Sequence, residues 1–248
     1  MVASPQVGRQ RNLNLFGALW LVATLAVLGE GIRQALFLVP TEATMGNVQR
    51  IFYWHVTSAT LGCIFPFLNL AGSLAYLYYQ RARNPLSALA ADAFALASAE
   101  ISVLFVSIGL LTGMLWARPV WGIWWTWDIR LTTFFLLWLL YVSYLLLRRF
   151  SPSDQTRSLA AVLSIFAAVD VPITYMSIHW WRTQHPAPVF GDGRLDRSFY
   201  PAVFWNLAGW TMWGAFLLVL RFALERRRQT AEQNAALQAI ESSFEIPQ

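Results

Sequence analysis

The sequence predicts an all-α, polytopic membrane protein with six transmembrane helices. Of its 248 residues, 57% are hydrophobic and only 12% are charged, whereas a soluble domain carries about 25% charged residues. Polar side chains are therefore too few to cover a water-facing surface, and lipid must solvate much of the chain. Six apolar runs approach the length of about 20 residues that one span requires. These runs are roughly 13–39, 54–79, 94–116, 131–147, 159–178 and 203–222.

The ends of the chain and its cysteine content add further expectations. The first run, Leu13 to Val39, is too long for the apolar core of a signal peptide and predicts a retained helix. The last run begins after Pro201, a residue typical of helix starts. We interpret residues 1–248 as one integral membrane domain whose polar segment 223–248 is a cytoplasmic tail, either a short helix or disordered. Cys63 is the only cysteine, which excludes a C-x-x-C-H motif and thus a c-type cytochrome.

Arginine placement predicts which side of the membrane each loop occupies. All 18 basic residues are arginine, and 11 of them lie in the N-terminal tail, the 80–93 loop, the 148–158 loop and the C-terminal tail. Cytoplasmic loops carry the excess of basic residues, so both termini are predicted to be cytoplasmic. The arginines lie in short loops between apolar runs, which favours a role in membrane topology over binding of a nucleic-acid partner. The other 7 arginines predict an anionic partner on the outward side: Arg33, Arg50, Arg118, Arg130, Arg182, Arg194 and Arg197.

Three acidic residues fall inside apolar runs, where an ionised group is costly. Glu30 and Arg33 are three residues apart and are expected to neutralise one another. Glu100 lies near the inner end of the third run and is expected to extend its carboxylate toward water. Asp170 precedes Pro172 and is expected to bind backbone groups that the proline frees. We therefore predict structural roles for all three acids.

The segment between the third and fourth helices is rich in tryptophan. Five tryptophans occur within the twelve residues 116–127, and Asp128-x-Arg130 follows them. Trp121, Trp124, Trp125 and Asp128 have the spacing i, i+3, i+4 and i+7, so on a helix they share one face. One interpretation is an ordinary aromatic belt at the membrane interface. The other is a broad indole surface that holds a flat apolar ring at the membrane edge.

All three histidines are predicted on the same outward side as this segment. They are His55, His179 and His185. A lone interfacial histidine is commonly structural, but two that converge from different helix ends can hold a metal, and paired imidazoles are a known way to ligate haem iron. Arg50 and Arg130 are then candidates for pairing with haem propionates, with lipid phosphate as the alternative anion.

These residues resemble the signature of a known family. The run Trp-Gly-x-Trp-Trp-x-Trp-Asp-x-Arg-Leu-Thr, from Trp121 to Thr132, is similar to the "WWD" signature of haem-handling proteins of cytochrome c biogenesis. The flanking runs Asn-x-x-Arg-Ile-x-Tyr-x-His, ending at His55, and Trp-Trp-x-Thr-x-His, ending at His185, are similar to those of the cytochrome c maturation haem-handling protein C family (CcmC). The length and the six spans fit this family, and the resemblance covers about residues 10–222.

The resemblance implies a haem-binding and haem-delivery subunit of the cell inner membrane, and not an enzyme. Haem b would lie on the extracytoplasmic side, with His55 and His185 as axial ligands and His179 in a structural role. It would pass to the haem chaperone CcmE, in a complex with the ABC-transporter subunits CcmA and CcmB and the small subunit CcmD; the chain itself has no Walker motif. The implied haem-contacting residues are Trp116, Trp121, Trp124, Trp125, Trp127, Asp128, Arg50 and Arg130. Asp128 is expected to orient Arg130 or the tryptophan segment.

Two other functions are compatible with parts of the pattern. A b-type cytochrome subunit that moves electrons to or from quinone would also use two histidines, but it usually holds haem deep between helices, and here the histidines are predicted at helix ends. A structural subunit could use the tryptophan surface to dock a partner without any cofactor. The visible spectrum of the purified protein separates this last class from the other two.

Overall fold

The computed structural model describes residues 5–150, 153–186 and 195–244. Within these residues the protein is helical and contains no β-strand. Six of the described helical segments are long and apolar enough to cross a membrane. The predicted fold class and the predicted number of spans are therefore confirmed. Arg194, one of the arginines used to predict topology, and the last four residues of the predicted tail lie outside the described residues.

Two of the connections between the helices contain a 3-10 turn. A π-helical turn, Gln34–Leu38, follows the first helix, and the 3-10 turns Asn47–Ile51 and Arg197–Phe199 precede the second and sixth helices. The helices are α1 Pro5–Arg33, α2 Phe52–Arg81, α3 Pro85–Trp121, α4 Ile129–Phe150, α5 Asp154–Trp180 and α6 Tyr200–Phe244.

Helix α6 continues far beyond the predicted sixth span. The apolar run was predicted to end at residue 222, with a tail that is a short helix or disordered, but the helix continues without a break to Phe244. The added residues are mostly alanine, glutamate, glutamine, leucine and arginine, which have high helix propensity. Arg228 and Glu232 form an ion pair of 2.9 Å one turn apart within this extension. Intrinsic helix propensity therefore explains the helix in this region. The predicted end at residue 222 marked only where the hydrophobic residues stop.

Side-chain caps determine where two of the helices begin. The Asn84 side chain accepts a hydrogen bond of 3.2 Å from the Ser87 backbone N–H, and Pro85 occupies the first position of α3. In the same way, Ser153 Oγ accepts a bond of 3.1 Å from the Thr156 N–H at the start of α5. Both caps occupy backbone N–H groups that the first turn of a helix leaves without an intrahelical acceptor.

The chain divides into two compact units. The first comprises Met1–Leu61, Phe105–Thr132 and Ser177–Phe216, and the second comprises Gly62–Leu104, Thr133–Met176 and Leu217–Gln248. In the first unit, Gly31 packs against Asn206, whose buried side chain donates a hydrogen bond of 2.9 Å to the Gly31 carbonyl. In the second unit, a Cβ added at Gly72 would lie 2.9 Å from the Ala95 backbone. Small residues therefore permit close helix contact in both units, as is typical of membrane proteins.

In the second unit, arginine side chains neutralise Asp92 and Glu100. Arg148 donates two parallel hydrogen bonds of 2.7 and 2.8 Å to the Asp92 carboxylate, and Arg157 lies 3.4 Å from the same group. Arg221 forms a similar two-bond pair with Glu100. The expectation that Glu100 extends toward water is therefore incomplete, because a partner from α6 holds it.

The other two acids in apolar runs also have partners. Glu30 pairs with Arg33 at 2.7 Å, as predicted. Asp170 accepts a hydrogen bond of 3.4 Å from the Thr174 hydroxyl, a side-chain partner one turn along α5. Backbone partners freed by Pro172 were the expectation for Asp170. These contacts give all three acids a structural role.

The Asp92–Arg148 pair is expected to be a major source of stability. The two side chains are only 4% and 10% exposed, and breaking such a pair leaves a buried charge uncompensated. Asp92→Ala should therefore lower the free energy of unfolding by about 3 kcal/mol. Thermal unfolding of the purified protein in detergent, followed by circular dichroism, measures this loss.

The exposed Arg228–Glu232 pair offers a matched control. Its side chains are 63% and 55% exposed, and exposed pairs contribute little to stability. Glu232→Ala should therefore leave the unfolding temperature close to that of the wild type. An equal loss of stability in both variants would contradict the role assigned to Asp92.

Candidate functional site

His55 lies in the first turn of α2, against α3. Its Nδ1 is 3.0 Å from the Gly109 carbonyl oxygen and 3.2 Å from Thr112 Oγ1. Because a carbonyl oxygen only accepts hydrogen bonds, the ring proton lies on Nδ1. The second nitrogen, Nε2, therefore keeps its lone pair and is available to a metal.

One face of α3 forms a seat for the His55 ring. Gly109, Thr112, Gly113 and Trp116 have the spacing i, i+3, i+4 and i+7 and share this face. A Cβ added at Gly113 would lie only 3.0 Å from His55 Cε1, so the absence of a side chain there lets the ring approach α3. The Trp116 ring contacts the His55 ring edge-on, with 5.7 Å between centroids.

His185 lies beyond the end of α5, in the non-helical segment 181–186. Its Nδ1 is 2.9 Å from the Pro186 carbonyl oxygen and therefore carries the ring proton. Its Nε2 is thus free to bind a metal, as in His55. The centroids of the two imidazoles are 6.5 Å apart, and their planes are inclined by 39°.

The separation of the two rings matches the requirement of one metal ion between them. An imidazole nitrogen coordinates a metal at about 2 Å, so two rings on opposite sides of one ion have centroids roughly 6 Å apart. Among the described residues, no group of three or more histidine, cysteine, aspartate or glutamate side chains is placed to hold a metal. Two imidazoles at this separation suit a metal whose other ligands come from a macrocycle.

The tryptophan segment is helical only as far as Trp121, which corrects the prediction of one shared helical face. Helix α3 ends at Trp121, and α4 begins only at Ile129. Gly122 has φ of +79°, and its N–H donates a hydrogen bond of 3.0 Å to the Arg118 carbonyl. This left-handed conformation ends helices and is easiest for glycine. Trp121, Trp124 and Trp125 therefore do not share one face of a helix.

The tryptophans of this region range from half-buried to exposed. Trp116 packs against the hydrophobic core of the first unit, and its ring also contacts Phe52 edge-on at 6.0 Å. Trp124 and Trp127 are 55% and 74% exposed, and the Trp125 and Trp127 rings are 5.8 Å apart. Trp116 therefore supports His55, whereas the segment after Gly122 presents indole surface outward.

Asp128 connects the tryptophan segment to the segment that carries His185. Its carboxylate accepts hydrogen bonds from the Thr183 hydroxyl at 2.7 Å and from the Gln184 N–H at 2.9 Å. It also accepts a bond of 3.0 Å from the Arg130 N–H, which caps the start of α4. Thr183 Oγ1 in turn accepts a bond of 3.0 Å from the His185 N–H. The expectation that Asp128 orients its own segment described only part of these contacts.

The two candidate arginines have different surroundings. Burial and, to a smaller extent, the nearby Arg130 guanidinium together lower the pKa of His185 to about 4, while the hydrogen bond to the Pro186 carbonyl and the Asp128 carboxylate oppose the shift. Arg130 is thus close enough to His185 to act on it electrostatically. The contacts of Arg50 lie elsewhere, since its guanidinium donates 2.6 Å and 3.1 Å hydrogen bonds to the Ala35 carbonyl and the Asn47 side chain.

Sequence reasoning missed several residues that shape this site. His55 and His185 are brought together, whereas His179 is exposed in the last turn of α5. Gly109, Thr112 and Gly113 were not singled out, although their helical spacing with Trp116 was visible in the sequence. Thr183 stood inside a quoted motif without any assigned role.

Comparison with known proteins identifies relatives over most of the chain. The family model for CcmC, heme exporter protein C, matches residues 1–237. The chain is 39% identical to heme exporter protein C of Bradyrhizobium diazoefficiens over 186 residues, covering 73% of this chain and 67% of that protein. It is 32% identical to the protein of that name from Escherichia coli K12 over 213 residues, covering 84% and 81%. The Rhodobacter capsulatus protein of that name is 34% identical over 226 residues, covering 86% and 89%.

The depressed pKa of His185 predicts a pH dependence of stability in the ligand-free protein. The pKa is about 4 in the folded state and 6.5 for an ordinary histidine, so the unfolded chain binds the extra proton between these values. The contribution of neutral His185 is complete above pH 6.5 and is lost as pH falls toward 4. Thermal unfolding of wild type and His185→Gln should therefore differ in their dependence on pH within this window.

Nuclear magnetic resonance of nitrogen-15-labelled histidine gives the direct control for that prediction. The His185 ring signal should titrate well below the ordinary value, because burial disfavours the charged imidazolium. A His185 signal that titrates near pH 6.5 would contradict the burial of this ring.

Proposed function

Since this chain belongs to the CcmC family, heme exporter protein C, we propose that it binds haem b at the extracytoplasmic face of the membrane and delivers it to the haem chaperone CcmE. The names of its relatives support a role in haem export for cytochrome c biogenesis. The observation that carries the proposal is the pair of imidazoles, His55 and His185, which approach to 6.5 Å with both Nε2 atoms available.

The ligand environment supports haem in preference to a bare metal ion. Two neutral imidazoles complete the coordination of an iron whose other four ligands come from the porphyrin. The Trp116 Nε1–H is buried and without a hydrogen-bond partner among the described residues. It is the kind of polar group that a bound ligand can satisfy. The protein would thus supply axial ligation, orientation and access, while the porphyrin supplies the iron chemistry.

The tryptophan segment and Arg130 support the remaining contacts. The exposed indoles of Trp124 and Trp127, with Trp121 and Trp125 beside them, offer apolar surface to a flat ring. Arg130 lies near the histidine pair and is the better candidate for a propionate, because guanidinium binds carboxylate strongly. Arg50 would reach a propionate only after releasing the Ala35 carbonyl.

The proposed topology places both termini in the cytoplasm and the haem site toward the periplasm, in the inner membrane. It depends on the arginine distribution and on six spans. The proposed complex contains CcmA, CcmB and CcmD beside CcmE. As a delivery subunit, this chain would leave ATP hydrolysis to its transporter partners.

The position of the histidines favours delivery over electron transfer between quinone and another carrier. His185 lies after the end of α5, and His55 lies in the first turn of α2. Haem held between these positions would be accessible from one membrane face. A b-type cytochrome usually buries its haem between helices at mid-span.

Loss of either proposed ligand should change the haem spectrum. His55→Ala and His185→Ala are each expected to lower haem retention by about tenfold or more and to shift the Soret band. Absorption spectra of protein purified in detergent with added haem b measure both effects. His179→Ala is the matched control and should retain the wild-type spectrum. Wild-type spectra for both His55→Ala and His185→Ala would contradict the ligand assignment.

The indole surface is tested separately from the ligands. Replacing Trp124 and Trp125 together by alanine should impair haem capture or CcmE loading while the protein still inserts into the membrane, because the flat apolar surface is lost. Haem staining of trapped CcmE measures loading, and membrane fractionation measures insertion. Normal loading would leave only an aromatic-belt role for these residues.

A further inference from the structure

Asp128 and Thr183 form a hydrogen-bonded chain that ends at His185. The carboxylate accepts a bond of 2.7 Å from the Thr183 hydroxyl, whose oxygen accepts a bond of 3.0 Å from the His185 N–H. The other carboxylate oxygen accepts a bond of 2.9 Å from the Gln184 N–H. We call the contacts among Asp128, Thr183, Gln184 and His185 the Asp128 clasp.

We propose that Asp128 and Thr183 are positioning residues that hold His185 where it faces His55. This inference rests on the proposed function, because it assigns the clasp a role through a haem ligand. The segment 181–186 is not helical, and a segment that no regular structure holds in place loses conformational entropy when its ligand binds. The clasp orders the segment beforehand, which favours ligation.

The geometry explains why the clasp uses a carboxylate. Both oxygens of Asp128 accept bonds from donors on the His185 segment, and one also accepts the Arg130 N–H. Bonds to an ionised acceptor are shorter and stronger than neutral ones. An asparagine would offer one acceptor oxygen and would turn an NH2 group toward N–H donors. The aspartate of the "WWD" run thus contacts the His185 segment directly.

The clasp also joins two parts of the site. Asp128 is the last residue before α4 and caps that helix, and it directly follows Trp127. His185 is therefore tied to the same short segment that presents the indoles. His55 is held differently, by the seat on α3 within a regular helix. Disrupting the clasp should consequently disturb His185 and leave His55 in place.

Substitutions at Thr183 isolate the hydroxyl with little change in shape. Thr183→Val removes both the O–H donor to Asp128 and the acceptor for the His185 N–H, whereas Thr183→Ser keeps both. Titration of the purified full chain with haem b should show about 10- to 100-fold weaker binding for Thr183→Val. Electron paramagnetic resonance of the ferric form should show a new high-spin fraction. Thr183→Ser should restore the wild-type result, and Thr44→Val, at an exposed site outside the clasp, should match it.

A readout without haem tests the clasp itself. Hydrogen exchange of the haem-free protein should be faster at the Gln184 and His185 amides in Thr183→Val and Asp128→Asn than in the wild type, with His55 unchanged. Because Asp128 also caps α4, the Asp128 variants are interpreted only where the Thr183 variants agree. The double variant Asp128→Ala, Thr183→Val should bind haem about as strongly as whichever single variant binds it less tightly. Both substitutions remove the hydrogen bond between Asp128 and Thr183, so their effects should not add.

The outcomes separate this inference from the proposed function. Wild-type haem affinity and spin state in Thr183→Val, alongside an altered His185→Ala, would overturn the clasp and leave haem binding by His185 intact. Faster amide exchange without any change in the haem signal would also overturn the positioning role. An unaltered His185→Ala would instead remove the ligand assignment on which the clasp depends.

Discussion

The site depends on the hydrogen bonds that occupy Nδ1 of each imidazole. His55 Nδ1 faces the Gly109 carbonyl and the Thr112 hydroxyl, and His185 Nδ1 faces the Pro186 carbonyl. These acceptors fix the proton on Nδ1, so both Nε2 lone pairs remain available to a metal. If either ring carried its proton on Nε2, the close approach of the two rings would have no use in ligation. The remaining features of the site position these two rings or cover the space around them.

The two rings are held by different kinds of structure. His55 belongs to a regular helix and packs against α3, where Gly113 leaves room for its ring. His185 belongs to a non-helical segment whose position depends on Asp128. One proposed ligand is thus built into the helical scaffold, and the other is attached to the tryptophan segment. The proposed uptake and release of haem would suit one rigid ligand and one held through a few hydrogen bonds.

The paired charged residues of the second unit contribute to stability. The candidate site lies in the first unit. Asp92 and Glu100 each pair with arginine through two hydrogen bonds. Asn69 donates a bond of 2.8 Å to the Ala95 carbonyl, and its oxygen accepts one of 3.3 Å from the Tyr141 hydroxyl. Such pairing is what a low-dielectric surrounding requires of polar groups. Charges in these spans therefore need not mark a transport pathway.

The sequence alone determined the fold class and the number of spans, because hydrophobicity is a local property. The choice of His55 and His185 came from motifs that resemble those of the CcmC family and stays a prediction. The sequence also carried the family motifs. It did not reveal that the helix ends at Gly122, because the spacing of Trp121, Trp124 and Trp125 is compatible with a continuous helix. The positive φ of Gly122 became visible only in the structure. Only the tertiary structure brought α3 against His55 and Asp128 against Thr183, which lies 55 residues away. Those contacts join distant segments, and their geometry depends on how the helices pack.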